Sequence, residues 1–289
     1  MSKVEKALHR IRNMEAPREA PVREPAPRES AHTVSPALEG SQQLIRTSTE
    51  LQPYRPQIGN MVEPWRLSET ELADARIIYP EMEHKGVAEA FRAIRTSIVQ
   101  QHPAGNCTVL VTSAVEDGGA SFVALNLAAA FAFDSSRTAL LIDCNLREPS
   151  YRDLVSPDMQ YGLTDYLEGN SVDATQVIHP AGIPRFRLIP AGHPTETPTE
   201  QLDSKKMREL LVGVKARYPD RYTILDTRAI CESPDAKILA SLADFVILVV
   251  PYGRLTQVEI WNAAKSIDER KLLGVVFNDE PELPRLAWN

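Results

Sequence analysis

Cysteines are few in this chain, and it lacks both a long apolar run and an excess of positive charge. The 289 residues carry three cysteines without a CxxC pair, so neither a zinc site nor a disulfide framework is expected. No apolar run approaches the ~18 residues of a membrane span, and the N-terminus has no apolar signal-peptide core. The net charge of −7 argues against a nucleic-acid partner. We therefore expect a soluble cytoplasmic protein.

The first 80 residues differ in composition from the rest. Val4, Leu8 and Ile11 lie at helical spacing and predict an amphipathic helix over residues 1–14, either a solvated helix that frays or a docking helix for a partner. Residues 15–80 are rich in Pro, Arg and Glu and predict a largely disordered linker, because such a composition cannot offset its ordering entropy. Within it, WRLSETELADARIIYP predicts a short helix and a strand attached to the domain edge.

Residues 81–289 have the pattern of an α/β domain. Continuous apolar runs such as CTVLVTSA and ADFVILVVPY alternate with helical segments such as EHKGVAEAFRAIRTSIVQQ. Strands that are apolar throughout indicate a parallel sheet covered on both faces. The sequence therefore predicts one α/β domain with a doubly wound, mostly parallel sheet and helices on both faces.

Polar residues follow three of the predicted strands. The Gly118–Gly119 pair lies between a strand and a helix, where it permits positive φ and lets exposed N–H groups face an anion. Asp143 and Asp226 end two other strands. Two strand-end carboxylates that face a glycine loop are typical of a Mg²⁺-nucleotide site. Taken singly, each aspartate could instead cap the next helix, and the glycine pair could be an ordinary turn.

Together these segments resemble the bacterial tyrosine kinases of capsule and exopolysaccharide synthesis, relatives of the partitioning ATPases with deviant P-loops. The resemblance covers roughly residues 81–279. The family's first motif, T-S-x-x-P-G-E-G-K-S-T-x-x-x-N-L-A, is matched at Thr112, Ser113, Gly119, Ser121, Asn126, Leu127 and Ala128. Its D-x-D-x-R motif is read at residues 143–147 and its D-x-x-P motif at residues 226–229. The resemblance implies a P-loop NTPase-like fold.

The resemblance also assigns roles to individual residues. It implies a degenerate nucleotide-binding set, namely Gly118, Gly119, Ala120, Ser121, Asn145 and Arg147. Ser121, Asp143 and Asp226 are the implied Mg²⁺ ligands, and the two aspartates are the catalytic candidates if the chain is active. An E-x-x-R-x-x-R helix, which joins subunits in the family, is complete as Glu89, Arg92 and Arg95. Spacing alone favours a solvated charged face for these three residues, and only the resemblance points to a subunit contact.

The sequence departs from the family pattern at the motif positions that bind nucleotide and metal in the family. Ala120 stands where the phosphate-binding lysine belongs, Asp117 replaces a loop glycine, and Phe122 replaces a threonine. Asn145 replaces the second aspartate of its motif, and Ala229 replaces a proline. The C-terminus FNDEPELPRLAWN lacks the tyrosine cluster that active members usually carry. Because losing one transition-state donor costs about 10²–10³ in rate, we predict impaired catalysis and, at best, weak binding of ATP or ADP and Mg²⁺.

These observations predict a pseudo-kinase that regulates or scaffolds exopolysaccharide or capsule export. It would lie in the cytoplasm, peripheral at the inner membrane through a membrane chain-length-control (co-polymerase) partner. An active kinase paralogue and further copies of the chain are the other expected partners. One alternative is an active tyrosine autokinase that uses a displaced lysine and Tyr151, Tyr161 or Tyr166. Another is a partitioning-type ATPase switch.

The missing cation leads to a further prediction about two arginines. Without Mg²⁺, Asp143 and Asp226 would bring two negative charges into one crevice. Arg228 or Arg147 is therefore predicted to pair with them, the alternative being that Arg228 points to solvent.

Overall fold

A computed structural model describes residues 61, 63–82, 85–103, 105–156, 161–169 and 171–280. The predicted N-terminal helix, most of the predicted linker and the last nine residues lie outside the described residues. Within them, the predicted α/β architecture with a mostly parallel sheet is confirmed, because one seven-stranded sheet has the order β3-β4-β2-β5-β1-β6-β7. All its pairings are parallel except that of β3 with β4.

The elements follow the predicted order along the chain. The strands are β1 Thr108–Ser113, β2 Thr138–Asp143, β3 His179–Pro180, β4 Phe186–Ile189, β5 Arg221–Asp226, β6 Phe245–Pro251 and β7 Leu272–Asn278. The helices are α1 Glu69–Asp74, α2 Lys85–Gln101, α3 Ala120–Ala132, α4 Leu163–Glu168, α5 Pro198–Leu202, α6 Lys205–Arg217, α7 Pro234–Leu242 and α8 Gln257–Lys265. Among the described residues, no helix is both long and apolar enough to cross a membrane.

Two apolar cores form because successive strand side chains point to opposite faces. Val109 and Val111 of β1 pack on the face that carries α2 and α3. Leu110, between them, packs on the other face with α4, α6 and α7. Both faces of β1 are fully buried, which explains why its sequence is an uninterrupted apolar run.

Helix α3 is buried almost all around, because the sheet lies on one side of it and α2 on another. Its alanine-rich sequence lets these layers approach closely. The polar Asn126 is also buried, and its amide is fully used. Its Oδ1 accepts the N–H of Ile78 at 2.7 Å, and its Nδ2 donates to the carbonyl oxygens of Arg76 and Phe122 at 3.0 Å each. A residue of the family motif thus anchors the chain segment that precedes α2.

That segment, residues 63–82, packs along the domain although the sequence analysis placed most of it in the linker. Glu63 forms an ion pair with Arg187 at 3.0 Å, with both side chains largely buried. Trp65 and Leu67 lie against Gly182, where a Cβ would come within 2.2 Å of the Trp65 ring. The short helix predicted here is α1, which begins at a Ser68–Glu71 capping box. The predicted strand is not formed.

Candidate functional site

The glycine loop between β1 and α3 has the backbone geometry of an anion cradle. Gly119 lies at φ +88° immediately before α3, and Asp117 also has positive φ, at 53°. Gly118 is pressed against the end of β1, since a Cβ there would lie 2.8 Å from the Cβ of Ser113. The N–H groups of the first turn of α3, which begins at Ala120, have no intrahelical acceptor and carry the positive end of the helix dipole. The anion-binding role of this loop stays a prediction, and Ala120 stands at the position of the family lysine.

Two arginine side chains in this region bind the glycine loop itself. The Arg254 guanidinium donates to the carbonyl oxygen of Asp117 at 2.9 Å. The Arg228 guanidinium forms an ion pair with the carboxylate of Glu116. Asn278, at the end of β7, places its amide 3.5 Å from the carbonyl oxygen of Gly118. Residues from the ends of three different strands thus fix the loop.

The two predicted carboxylates lie side by side at the carboxyl edge of the sheet. Asp143 and Asp226 are register partners on neighbouring strands and are fully buried. Burial, and then the charge of Asp226, raise the pKa of Asp143 to about 7, although backbone hydrogen bonds oppose the shift. Burial raises the pKa of Asp226 to about 6, against the hydrogen bonds of Ser121 and Tyr151. Both carboxyl groups therefore keep their protons to a higher pH than an exposed aspartate does.

Tyr151 contacts the carboxylates from the loop after β2. Its hydroxyl lies 2.7 Å from Asp226 Oδ2 and 3.0 Å from the carbonyl oxygen of Ser121. The side chain is buried at 3% exposure, and burial raises the pKa of the phenol well above its ordinary value, with the charges of Asp226 and Asp143 adding to the shift. A neutral hydroxyl donor therefore stands between the end of β5 and the first turn of α3.

The predicted pairing of an arginine with these carboxylates is wrong. Arg228 pairs with Glu116 instead, and Arg147 is exposed. Asp143 accepts backbone N–H groups, from Asn145 to Oδ1 at 3.1 Å and from Ser150 to Oδ2 at 2.8 Å. The physical reason is that neutral donors from one local loop reach both carboxylates without the cost of burying a guanidinium.

The other predicted site residues lie in the same region. The hydroxyl groups of Ser121 and Ser150 are 3.5 Å apart, beside the carboxylates. Asn145 is half-buried, and its side-chain Oδ1 accepts the N–H of Glu148 at 3.3 Å. The nucleotide-binding and metal roles of these residues stay predictions. The structure brings them to the carboxylate pair, to the glycine loop or to the loop after β2, where the Arg147 side chain is exposed.

The three predicted subunit-contact residues differ in exposure along α2. Glu89 and Arg92 are exposed. Arg95 is half-buried, donates to the carbonyl oxygen of Ala130 at 2.8 Å and lies 3.8 Å from Asp134. A cavity of about 260 Å³ separates this helix from the segment at residues 78–80 and is lined by Arg92, Arg95 and Phe133. Arg95 therefore supports its own domain, whereas Arg92 is available to another molecule.

The sequence analysis missed the roles of Tyr151, Arg254 and Asn278 around the loop. Tyr151 appeared only as a possible phosphorylation target, because nothing in its local sequence distinguishes a buried tyrosine from an exposed one. Arg254 lies 137 positions along the chain from Asp117, and Asn278 lies 160 positions from Gly118. The one available signal was their position at the ends of strands β6 and β7, where ligand-site residues gather in this fold class.

Comparison with known proteins decides the family. No family model matches the sequence. The tyrosine-protein kinase YwqD of Bacillus subtilis is 31% identical over 194 residues, which are 66% of this chain and 80% of YwqD. The chain belongs to the bacterial tyrosine-protein kinase family. The kinase domain of the Escherichia coli tyrosine kinase Etk superposes with a TM-score of 0.61 at 26% identity, covering 76% of this chain and 91% of that domain.

Other proteins similar to this chain are much longer. The succinoglycan biosynthesis transport protein ExoP of Rhizobium meliloti is 31% identical over 202 residues, which are 66% of this chain and 25% of ExoP. The chain thus spans about a quarter of the length of such relatives. The match establishes the kinase-domain fold.

Proposed function

We propose that this chain is a catalytically impaired member of the tyrosine-kinase family that regulates or scaffolds exopolysaccharide or capsule biosynthesis and export. The observation that carries the proposal is the occupation of the carboxylate pair by the protein's own neutral donors, next to a loop without a lysine. The name of ExoP supports the polysaccharide context.

The first support is that the two arginines that contact the glycine loop, Arg228 and Arg254, are held by groups of the loop itself. Phosphoryl transfer depends on positioning and on stabilising charge at the transferred group. The loop offers backbone N–H groups and the methyl group of Ala120, while Arg228 and Arg254 are engaged by Glu116 and by the Asp117 carbonyl oxygen. Charge-assisted hydrogen bonds contribute about 1.5–3 kcal/mol each, so weak anion binding through the backbone is what remains.

The second support is the poor fit of the carboxylates to Mg²⁺. Magnesium prefers charged oxygen ligands in near-octahedral geometry. Hydrogen bonds from the protein already reach both oxygens of Asp143 and Oδ2 of Asp226. Asn145 supplies only a neutral amide where the family has a second aspartate. The residues present therefore do not fit the Mg²⁺ that the family implies.

The tyrosines considered for an active kinase also favour impaired catalysis. Tyr151 is buried in the site and cannot reach another active site without leaving it. Tyr166 is half-buried, and only Tyr161 of the three is exposed, at 38%. An active kinase would therefore have to modify Tyr161 or a residue outside this group.

The experiment that tests the proposal is phosphotyrosine analysis of the full chain. Purified protein is incubated with ATP and Mg²⁺ and examined by mass spectrometry, beside Asp226→Asn. We expect no phosphotyrosine in either protein. Phosphotyrosine that appears in the wild type and disappears in Asp226→Asn would show an active kinase and overturn the proposal.

A regulator needs a partner, and we propose a membrane chain-length-control (co-polymerase) protein, with an active kinase paralogue and further copies of this chain as additional partners. The support is the family membership together with the exposed Glu89 and Arg92 on α2. The protein would then be peripheral at the inner membrane. The partitioning-type switch remains the alternative, and no observation on the structure favours it.

Self-association through α2 gives a testable prediction. Arg92→Glu reverses the charge of an exposed side chain, so it is expected to abolish any oligomer seen by analytical ultracentrifugation without lowering thermal stability. Lys237→Glu makes the same charge change on the exposed surface of α7, on the other face of the sheet, and is expected to leave the oligomer intact. A wild type that sediments as a monomer, or an oligomer that survives Arg92→Glu, would leave Arg92 as a solvated residue.

A further inference from the structure

A single loop donates hydrogen bonds to both buried carboxylates of the site. Residues 144–151 follow β2 and supply three donors: two backbone N–H groups to Asp143 and the Tyr151 hydroxyl to Asp226. The loop also contains Arg147, but that side chain is exposed. The carboxyl groups that end β2 and β5, those of Asp143 and Asp226, therefore face neutral hydrogen-bond donors from the loop after β2.

The position of Tyr151 is fixed on several sides. Its ring belongs to the apolar core that contains α3, and its hydroxyl lies within hydrogen-bond distance of both Asp226 and the first turn of α3. A phenol has one proton to donate, and the shorter distance, 2.7 Å, is to the carboxylate. The hydroxyl thus bridges the strand-end aspartate to the helix that begins at the glycine loop.

The geometry points to Tyr151 as a built-in substitute for a divalent cation, which fills the space between Asp226 and α3 and so keeps metal ions out of the wild-type site. This inference rests on the proposed function, because it takes the site to be a disabled nucleotide site. It goes further in naming the residue that blocks the metal and in stating that a smaller residue there creates a metal site.

One unpartnered oxygen shows what such a metal site would use. Asp226 Oδ1 is buried and has no hydrogen-bond partner among the described residues. Asp143 lies beside it on β2 as its register partner. Carboxylate oxygens and water are the ligands that Mg²⁺ and Mn²⁺ prefer. Removal of the phenol ring would give a cation and its water ligands room next to two carboxylates that a charge could ionise.

The test measures Mn²⁺ binding to the full chain by the loss of the free-ion signal in electron paramagnetic resonance. Wild type and Tyr151→Phe, which keeps the ring, are expected to show no Asp226-dependent binding. Tyr151→Ala and Tyr151→Ser are expected to bind Mn²⁺ at least about tenfold more tightly than the wild type. Adding Asp226→Asn to either small variant is expected to remove that gain. Tyr161→Ala, which removes an exposed tyrosine, is the matched control and should behave as wild type.

The outcomes separate this inference from the proposed function. Mn²⁺ binding by the wild type that Asp226→Asn abolishes would overturn the inference, even if the protein makes no phosphotyrosine. The inference is also overturned if neither small variant gains a site while circular dichroism shows both to be folded. If both small variants unfold, the comparison of wild type with Asp226→Asn still decides whether metal enters the native site. Phosphotyrosine formation without Asp226-dependent Mn²⁺ binding would count against the proposed function alone.

Discussion

The difference in unfolding free energy between Asp226→Asn and the wild type is expected to shift by about 3 kcal/mol in favour of the variant as the pH rises from 4 to 8. Burial raises the pKa of Asp226 to about 6, above the value of about 4 expected in the unfolded chain. A carboxyl group with a raised pKa holds its proton more firmly in the folded state. Its contribution to stability is therefore complete below about pH 4 and is lost as the pH rises through 6.

Asparagine does not titrate, so the variant escapes this loss. The measurement is urea unfolding of both proteins at several pH values in metal-free buffer. Thr227→Val is the matched control: it alters a buried neighbour without changing an ionisable group, so its difference from the wild type should stay constant with pH. A difference between Asp226→Asn and the wild type that is the same at pH 4 and pH 8 would contradict the raised pKa of Asp226 in the folded protein.

Gly162→Ala is expected to destabilise the domain by about 3 kcal/mol, the upper end of what overpacking usually costs. Gly162 precedes α4, and a Cβ there would lie 2.4 Å from both the Cα and the N of Gly192. These are backbone atoms that cannot rotate away. The adjoining N–H groups of Leu163 and Thr164 donate to the backbone after β4 at 2.8 and 2.9 Å, so the two segments cannot separate without losing hydrogen bonds.

Thermal unfolding measures this effect. For a domain of this size, about 3 kcal/mol corresponds to a fall of roughly 6–12 °C in Tm. Gly213→Ala is the control, because Gly213 lies within α6 and a Cβ there meets nothing within 4 Å. That variant is expected to be stabilised by about 0.5–1 kcal/mol through its better helix propensity. Equal Tm values for both variants would contradict the close backbone packing between residues 162 and 192.

The fold could be predicted because the apolar pattern of each short sequence segment indicates whether it forms a strand or a helix. Apolar runs such as residues 108–113 predict buried strands, and their alternation with helices predicts a parallel sheet. The meeting of Asp143 and Asp226 also follows from local information, since the carboxyl ends of parallel strands share one edge. Their order along the chain did not reveal that β2 and β5 are direct neighbours, because that depends on how the strands are sorted in the sheet.

The partners of the site side chains could not be predicted in the same way. Arg228 had two plausible carboxylate neighbours at strand ends and a third in Glu116, which lies 112 positions away. The choice depends on the relative cost of burying a guanidinium and on donors that become visible only when the loop after β2 is folded. Tyr151 is the clearest case, because its burial against Asp226 is a property of the packed loop rather than of its sequence.

The most direct test of the central claim, that this kinase fold has lost its metal–nucleotide chemistry, is calorimetric titration of ATP into the full chain with and without Mg²⁺. We expect no binding tighter than about 1 mM, that is, no more than about 4 kcal/mol of binding free energy, and no strengthening by Mg²⁺. Micromolar binding that requires Mg²⁺ and disappears in Asp226→Asn would contradict the account.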